Sequence, residues 1–361
     1  MLSGMLSCGD MRFVTGLLCA LAACVAATYP NQQEGDYVIS SHTFRSGEGM
    51  SHLNLHYTTI GTPVKNDAGV VTNAILVLHG TGGNGSGFLE RAYFHNELFA
   101  PGQPLDATKY FIVLPDNVGH GKSSKPSDGL RLKFPHYGYL DMVDLQKKLL
   151  AEKLGVTHLR LVMGTSMGCM HSWTWATEHP ADIDAAMPLG CLPYPITGRN
   201  LVWRKMMIDL IQKDRNYNDG NYTGELQALR ATRDIQYLMT QNTLELQAKG
   251  NTRADALKLF ESSQRPAAPL DANDLIYQYD SSRDYDPNPK LEQIRCPLVA
   301  INFTDDPVNP AELGILEREI QRVRRGRAIV MPGTPQTHGH GNHTYAALWK
   351  GELVKLLEDS K

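Results

Sequence analysis

Gly164-Thr165-Ser166-Met167-Gly168 sets a serine between two glycines, directly after the apolar run His158 to Met163 and directly before a helix-like stretch. A serine hydroxyl is a poor nucleophile until a neighbouring base takes its proton and a third group orients that base. Both kinds of group follow in the chain. Asp305 and Asp306 come after an apolar run that ends at Ile301, and His338, His340 and His343 come after the last apolar run, Ala328 to Met331. Serine, acid, histidine is the chain order that goes with a nucleophile elbow. In such an elbow the glycines are needed because side chains would collide across the tight strand-to-helix bend.

The charge that develops on an attacked carbonyl oxygen is best held by backbone N–H groups fixed in advance. Met167, next to the serine, should give one. The loop His79-Gly80-Thr81-Gly82-Gly83 should give the other, through Thr81, with Gly80 beside it as a substrate contact. That loop lacks the Gly-Lys-Ser/Thr ending of a phosphate cradle and the acidic partner of a dinucleotide site, so no cofactor is expected. Three histidines close together could suggest zinc. A structural site wants four ligands, and no thiolate or carboxylate lies alongside, so no metal is expected either.

The elements that must carry these residues alternate apolar strands with amphipathic segments, the pattern of a parallel α/β sheet. Ala74 to Leu78, Tyr110 to Leu114, His158 to Met163, Pro297 to Ile301 and Ala328 to Met331 each run into Gly, Asp, Ser or Pro. Ligands bind at such carboxyl ends of strands. Tyr139 to Leu154 reads as a helix, with Met142, Leu145, Leu149 and Leu150 along one face. Thr344 to Leu357 reads as a terminal helix. From Tyr194 to Ser282 the alternation stops, and turn signals at 216–220 and around Pro266 to Pro269 divide a polar, helix-biased insertion.

Longer motifs sharpen the picture. Leu53 to Thr62 (LNLHYTTIGT), Pro101-Gly102 with Leu105-Asp106, the Gly164–Gly168 elbow, Tyr217 to Tyr222 (YNDGNY), Asp271 to Tyr277 (DANDLIY), Asp306 to Pro310 (DPVNP) and Gly339-His340-Gly341 together resemble the α/β-hydrolase superfamily, and within it the homoserine O-acetyltransferase branch. The likeness runs from Leu53 to the C-terminus. It implies an α/β-hydrolase fold, a mostly parallel central sheet flanked by helices with an inserted helical lid. The expected divisions are residues 1–27 as a secretory signal, 28–193 and 283–361 as the two parts of the core, and 194–282 as the lid. Carried over position by position, the resemblance makes Ser166 the nucleophile, Asp306 the orienter and His340 the base, with Asp305 and His343 as the neighbouring alternatives. If the acyl group passes to an alcohol, Arg204, Tyr222, Tyr277 or Tyr279 of the lid would hold it; their other reading is packing within the lid.

The chain also departs from that branch. Pro115 to Ser124 (PDNVGHGKSS) resembles the loop of ordinary ester hydrolases, and Cys169 replaces a glycine after the elbow. The expected reaction is therefore hydrolysis of a small carboxylic ester, with acyl transfer to an alcohol as the alternative.

Arg12 precedes an apolar run, Phe13 to Ala27, that is too short to span a bilayer comfortably and closes on small residues. Cleavage after Ala27 would leave a free exported chain, secreted or periplasmic. Leu21-Ala22-Ala23-Cys24 offers the alternative of a lipid anchor at Cys24. Acetyl-CoA is cytoplasmic, so export also weighs against homoserine acetylation. Of six cysteines, only Cys169, Cys191 and Cys296 lie beyond this segment. Their odd number and wide spacing suggest no disulfide framework, and Cys169 and Cys191 are expected to be small buried hydrophobes. A formal charge of −3 over 361 residues gives no electrostatic reason for a nucleic-acid partner. Arg322, Arg324, Arg325 and Arg327 are expected to end a helix on a solvated face. A second copy of the chain is left open as a partner.

Overall fold

The computed structural model describes residues 29–263 and 270–361. The expected signal segment, Cys24 and the turn around Pro266 to Pro269 lie outside the described residues. Among the described residues no helix is long and apolar enough to cross a membrane.

The strands, in chain order, are β1 (Gln33–Thr43), β2 (Gly49–Ile60), β3 (Ala74–Leu78), β4 (Phe111–Pro115), β5 (Leu161–Thr165), β6 (Ala186–Leu189), β7 (Leu298–Phe303) and β8 (Gly326–Met331). They form one sheet in the order β1-β2-β4-β3-β5-β6-β7-β8. β1 pairs antiparallel with β2 and β2 with β4, and all later pairings are parallel. Every residue of β3, β4, β5 and β6 is buried, because helices cover both faces of this part of the sheet. Side chains still alternate between faces. Ala74, Leu76 and Leu78 of β3 enter one core, and Ile75 and Val77 enter the other.

The helices are α1 (Ala92–Leu98), α2 (Tyr139–Lys148), α3 (Met167–Glu178), α4 (Gly198–Gln212), α5 (Gln227–Thr240), α6 (Thr243–Lys249), α7 (Arg253–Ser263), α8 (Ala272–Asp280), α9 (Ile315–Glu319) and α10 (Lys350–Asp359). α2, α3 and α9 bury their apolar residues with one face of the sheet, and α1 and α10 with the other. A third cluster joins Met207 and Ile211 of α4, Leu229 and Met239 of α5, and Leu275, Ile276 and Tyr279 of α8. The insertion thus carries its own small core. α8 is bolted to the body at three points: Asp274 accepts from the Ser127 amide and hydroxyl, the Tyr277 hydroxyl donates to the Phe134 carbonyl, and Gln278 donates to the Gly119 carbonyl.

Several local expectations change. The helix from Tyr139 gives way at Leu149–Lys153 to a π-helical turn. The terminal helix begins at Lys350, after two short 3₁₀ segments. The arginine cluster does not end an α-helix: Arg322 closes a 3₁₀ turn and pairs with Glu292 and Glu319, while Arg327 already belongs to β8.

The cysteine expectation is corrected. Cys169 and Cys191 form a disulfide, with Cα atoms 5.8 Å apart. Spacing of 22 residues gave no hint of it, because the proximity comes from the sheet. β5 and β6 are neighbours, so the first turn of α3 and the residues after β6 meet above their ends. Cys296 is free and buried.

Candidate active site

The strand-to-helix bend forces an unusual backbone at Ser166, with φ 55° and ψ −110°. A non-glycine residue in that region is strained and persists only where the surroundings over-determine it. Here they do. A Cβ on Gly164 would lie 2.3 Å from the Gly168 carbonyl oxygen, and one on Gly168 would lie 2.0 Å from that of Leu78. Only glycine fits at either position. The Ser166 amide donates to the Leu189 carbonyl at 3.0 Å, tying the bend to the end of β6.

The other two residues arrive from separate strand ends. His340 Nε2 lies 2.8 Å from Ser166 Oγ, and His340 Nδ1 lies 2.8 Å from Asp306 Oδ2. The carboxylate can only accept, so Nδ1 carries the proton and Nε2 turns a lone pair to the serine hydroxyl. Asp306 is buried, and its Oδ1 also accepts from the amides of Val308 and Asn309, while Oδ2 accepts from Asn309 Nδ2. Burial alone would raise its pKa. The adjoining His340 and these donors outweigh that and hold it below the ordinary carboxylate value.

The neighbouring candidates have other tasks. Asp305 accepts from the Thr337 hydroxyl, the Gly339 amide and Asn342 Nδ2, so it folds the loop that delivers His340. His343 stands edge-on to His340 at 4.8 Å, with burial holding its pKa well below the usual histidine value. Asp305, the alternative acid in the sequence, is thus a loop brace, and Asn309 is a contributor that the sequence reading does not single out. The only signal was the Asp-Asp-Pro-Val-Asn turn chemistry around Asp306.

Met167 is fully buried at the first position of α3, where an amide has no partner within the helix. A Cβ built on Gly80 would lie 3.2 Å from Ser166 Cβ, so the Gly80-Thr81 backbone passes directly over the serine. Neither the Thr81 nor the Met167 amide donates to an acceptor among the described residues. Two such donors beside the Ser166 hydroxyl suit an oxygen that gains negative charge.

The lid residues divide. Arg204 of α4 is 5% exposed; it donates from Nε to Asn200 and from Nη1 to the Tyr279 carbonyl. No carboxylate among the described residues pairs with it. The hydroxyls of Tyr139 and Thr81 are buried without a full hydrogen bond, and Arg204 and Thr81 are both close enough to Tyr139 to draw its pKa down against the upward push of burial. Tyr139, unremarked in the sequence, thus faces the same space. Tyr222 and Tyr277 do not. The Tyr222 hydroxyl donates to Asp271 at 2.6 Å, and that of Tyr277 to the Phe134 carbonyl at 2.6 Å, so both serve lid packing. Tyr279 is buried, with its ring 5.9 Å from the Arg204 guanidinium.

The loop Pro115 to Ser124 is largely buried rather than exposed to a substrate. Asp116 accepts from the Gly85 and Lys122 amides, and the Ser123 hydroxyl accepts from the His56 amide of β2. It is a brace beneath the Thr81 loop. Among the described residues no group of three His, Cys, Asp or Glu side chains could hold a metal ion.

A serine at a strained elbow, its histidine and its acid, set on strand ends of a mostly parallel sheet, define the α/β-hydrolase class. The α/β hydrolase fold family matches residues 73–328, and the chain belongs to that family. Within it the chain resembles the homoserine O-acetyltransferase branch. It is 30% identical over 278 residues to a probable acyltransferase of Methanothermobacter thermautotrophicus, covering 77% of this chain and 84% of that one. It is 28% identical over 302 residues to a homoserine O-acetyltransferase of Methanohalobium evestigatum, covering 73% of this chain and 60% of that one. The crystal structure of esterase E22 superposes with a TM-score of 0.76 at 19% identity, covering 90% of this chain and all of that one.

Proposed function

We propose that the chain is an exported serine hydrolase that cleaves a small carboxylic ester through an acyl-enzyme. The observation that carries this is the unbroken line from Asp306 through His340 to Ser166 Oγ, facing two buried amides that donate to no described acceptor. Ser166 Oγ attacks the ester carbonyl carbon as its proton passes to His340 Nε2. The Met167 and Thr81 amides hold the tetrahedral oxyanion. Collapse breaks the bond to the alkoxy oxygen, which leaves as the alcohol with the proton from His340. Water, deprotonated by the same nitrogen, then releases the acid and restores Ser166. The Cys169–Cys191 disulfide supports export, since such bonds persist in oxidising compartments.

One observation favours a second reading, in which an alcohol takes the acyl group. Arg204 is buried without a described carboxylate partner, and its guanidinium would pair with a carboxylate on the substrate. Both readings are separated by p-nitrophenyl acetate turnover with and without added hydroxy acid. Acetic acid as the sole acyl product supports hydrolysis. An acetylated hydroxy acid as the main product, lost in Arg204→Met with nitrophenol release retained, supports transfer and overturns hydrolysis.

A further inference from the structure

Thr81 can serve Ser166 only if its N–H is aimed, and that amide belongs to the same peptide plane as the Gly80 carbonyl. In a trans peptide the two point in opposite directions. Whatever holds the Gly80 carbonyl therefore aims the Thr81 N–H. The carbonyl is held twice, by the Gly83 amide at 3.0 Å and by His79 Nδ1 at 2.9 Å.

A carbonyl can only accept, so His79 must carry its proton on Nδ1. The other ring nitrogen agrees. Nε2 faces the backbone amide of Asn117 at 3.2 Å and Asn117 Nδ2 at 3.0 Å, and the amide can only donate. Asn117 is itself oriented, since its Oδ1 accepts from Gln146 Nε2 at 2.6 Å. Gln146 is oriented in turn by the indole N–H of Trp175, a donor only, which meets Oε1 at 2.7 Å. The second proton of Gln146 Nε2 goes to His171 Nδ1 at 3.1 Å. His79, Asn117, Gln146 and Trp175 are each at most 3% exposed, so water does not compete for these groups. Burial also lowers the His79 pKa and keeps the ring neutral.

We propose that Trp175, Gln146, Asn117 and His79 form a one-directional hydrogen-bond chain that positions the Thr81 amide for the oxyanion, with Gln146 as the residue that fixes which way the Asn117 side-chain amide faces. This rests on the reading of Ser166 as nucleophile. All four are positioning residues: none touches the reacting atoms. Every donor-to-acceptor step runs the same way, and reversing one step sets an acceptor against His79 Nε2.

Gln146→Glu does this with little change of shape. A carboxylate still accepts from Trp175 but cannot donate to Asn117. The Asn117 side chain then turns its NH₂ to the glutamate and sets Oδ1 against His79 Nε2, whose lone pair the Asn117 backbone amide still occupies, so two acceptors oppose each other and the ring is displaced. The Gly80 carbonyl loses its side-chain donor.

Two measurements on the full-length protein test this. Nitrogen-15 NMR of the histidine rings, assigned with His79→Asn, should show wild-type His79 protonated on Nδ1 and unprotonated on Nε2 at pH 7 to 8. A proton on Nε2 overturns the chain, whether or not Gln146→Glu folds. Hydrolysis of p-nitrophenyl acetate should be compared with its thionoester, whose sulfur accepts N–H hydrogen bonds poorly. A misaimed oxyanion donor should lower kcat on the oxygen ester by about 10²-fold, with KM within about two-fold, and lower the thionoester rate far less. An equal loss on both esters, or none, overturns the positioning role. Wild-type ester hydrolysis that survives Ser166→Ala would instead overturn the nucleophile reading, and would leave the nitrogen assignment standing.

Discussion

Asp306→Asn separates the role of the acid from its bulk. The substitution is isosteric, and the surroundings dictate which way the new amide lies. Oδ1 accepts from two backbone amides, of Val308 at 2.8 Å and Asn309 at 3.3 Å, so the carbonyl of the asparagine must stay there. Its NH₂ then replaces Oδ2 and faces His340 Nδ1. That nitrogen must now accept, which moves the ring proton to Nε2 and points it at Ser166 Oγ. The base that should take the serine proton has none of its acceptor capacity left. Wrong-tautomer substitutions of this type lower kcat about 10⁴-fold, or about 5 kcal/mol of barrier. The same NH₂ also opposes Asn309 Nδ2, which stood 3.0 Å from Oδ2, so folding stability should fall by about 1–3 kcal/mol. The assay is kcat for p-nitrophenyl acetate beside thermal unfolding, with Asp305→Asn as the comparison. Asp305 holds the His340 loop rather than the ring, so its variant should lose stability and keep kcat within about 10-fold. Asp306→Asn retaining more than a tenth of wild-type kcat, or Asp305→Asn losing as much, would refute the assignment.

Two further outcomes concern stability. Burial pushes the Asp274 carboxyl up to about 6, against the donors on Ser127, with Asp271 and Lys125 as the charged neighbours. A carboxyl raised in the fold costs stability when it ionises, so the cost is absent below the ordinary value near 3.8 and complete above about 6. Wild-type stability should therefore drop by up to about 3 kcal/mol relative to Asp274→Asn as pH rises from about 4 to 6, and urea unfolding across that window measures it. Removing the Cys169–Cys191 bond as the double serine variant should cost about 3 kcal/mol, seen as a thermal midpoint lower by several degrees and no longer sensitive to reductant. An unchanged midpoint would refute the bond.

The parts of the site that are legible in the sequence are those set by local chemistry. Glycines around Ser166 announce a tight bend, and apolar runs that end at Leu78, Met163 and Ile301 announce buried parallel strands. Two strands escape. β6 is only Ala186–Leu189 and contains Pro188; its ladder with β7 pairs only Ala186 and Leu189. β1 is a polar edge strand with a single buried residue, Ile39, so it carries little hydrophobic pattern. What remains hidden is set by proximity across the sheet. Cys169 and Cys191, Asp305 and Thr337, and the run from Trp175 to His79 are meetings of distant segments, and no spacing encodes them. The lid shows the same limit. Arg204, Tyr222 and Tyr277 look alike as polar residues on helices, but the hydroxyls of the two tyrosines are bound to Asp271 and Phe134, and Arg204 alone keeps a buried charge without a described counter-ion.

The whole proposed reaction rests on Ser166 as the nucleophile. Treatment of the purified chain with a fluorophosphonate, followed by intact-mass and peptide mass spectrometry, tests it directly. One adduct per chain, on the peptide holding Ser166 and absent in Ser166→Ala, is the expected result. Equal labelling of Ser166→Ala, or a wild-type adduct on any other residue, would contradict it.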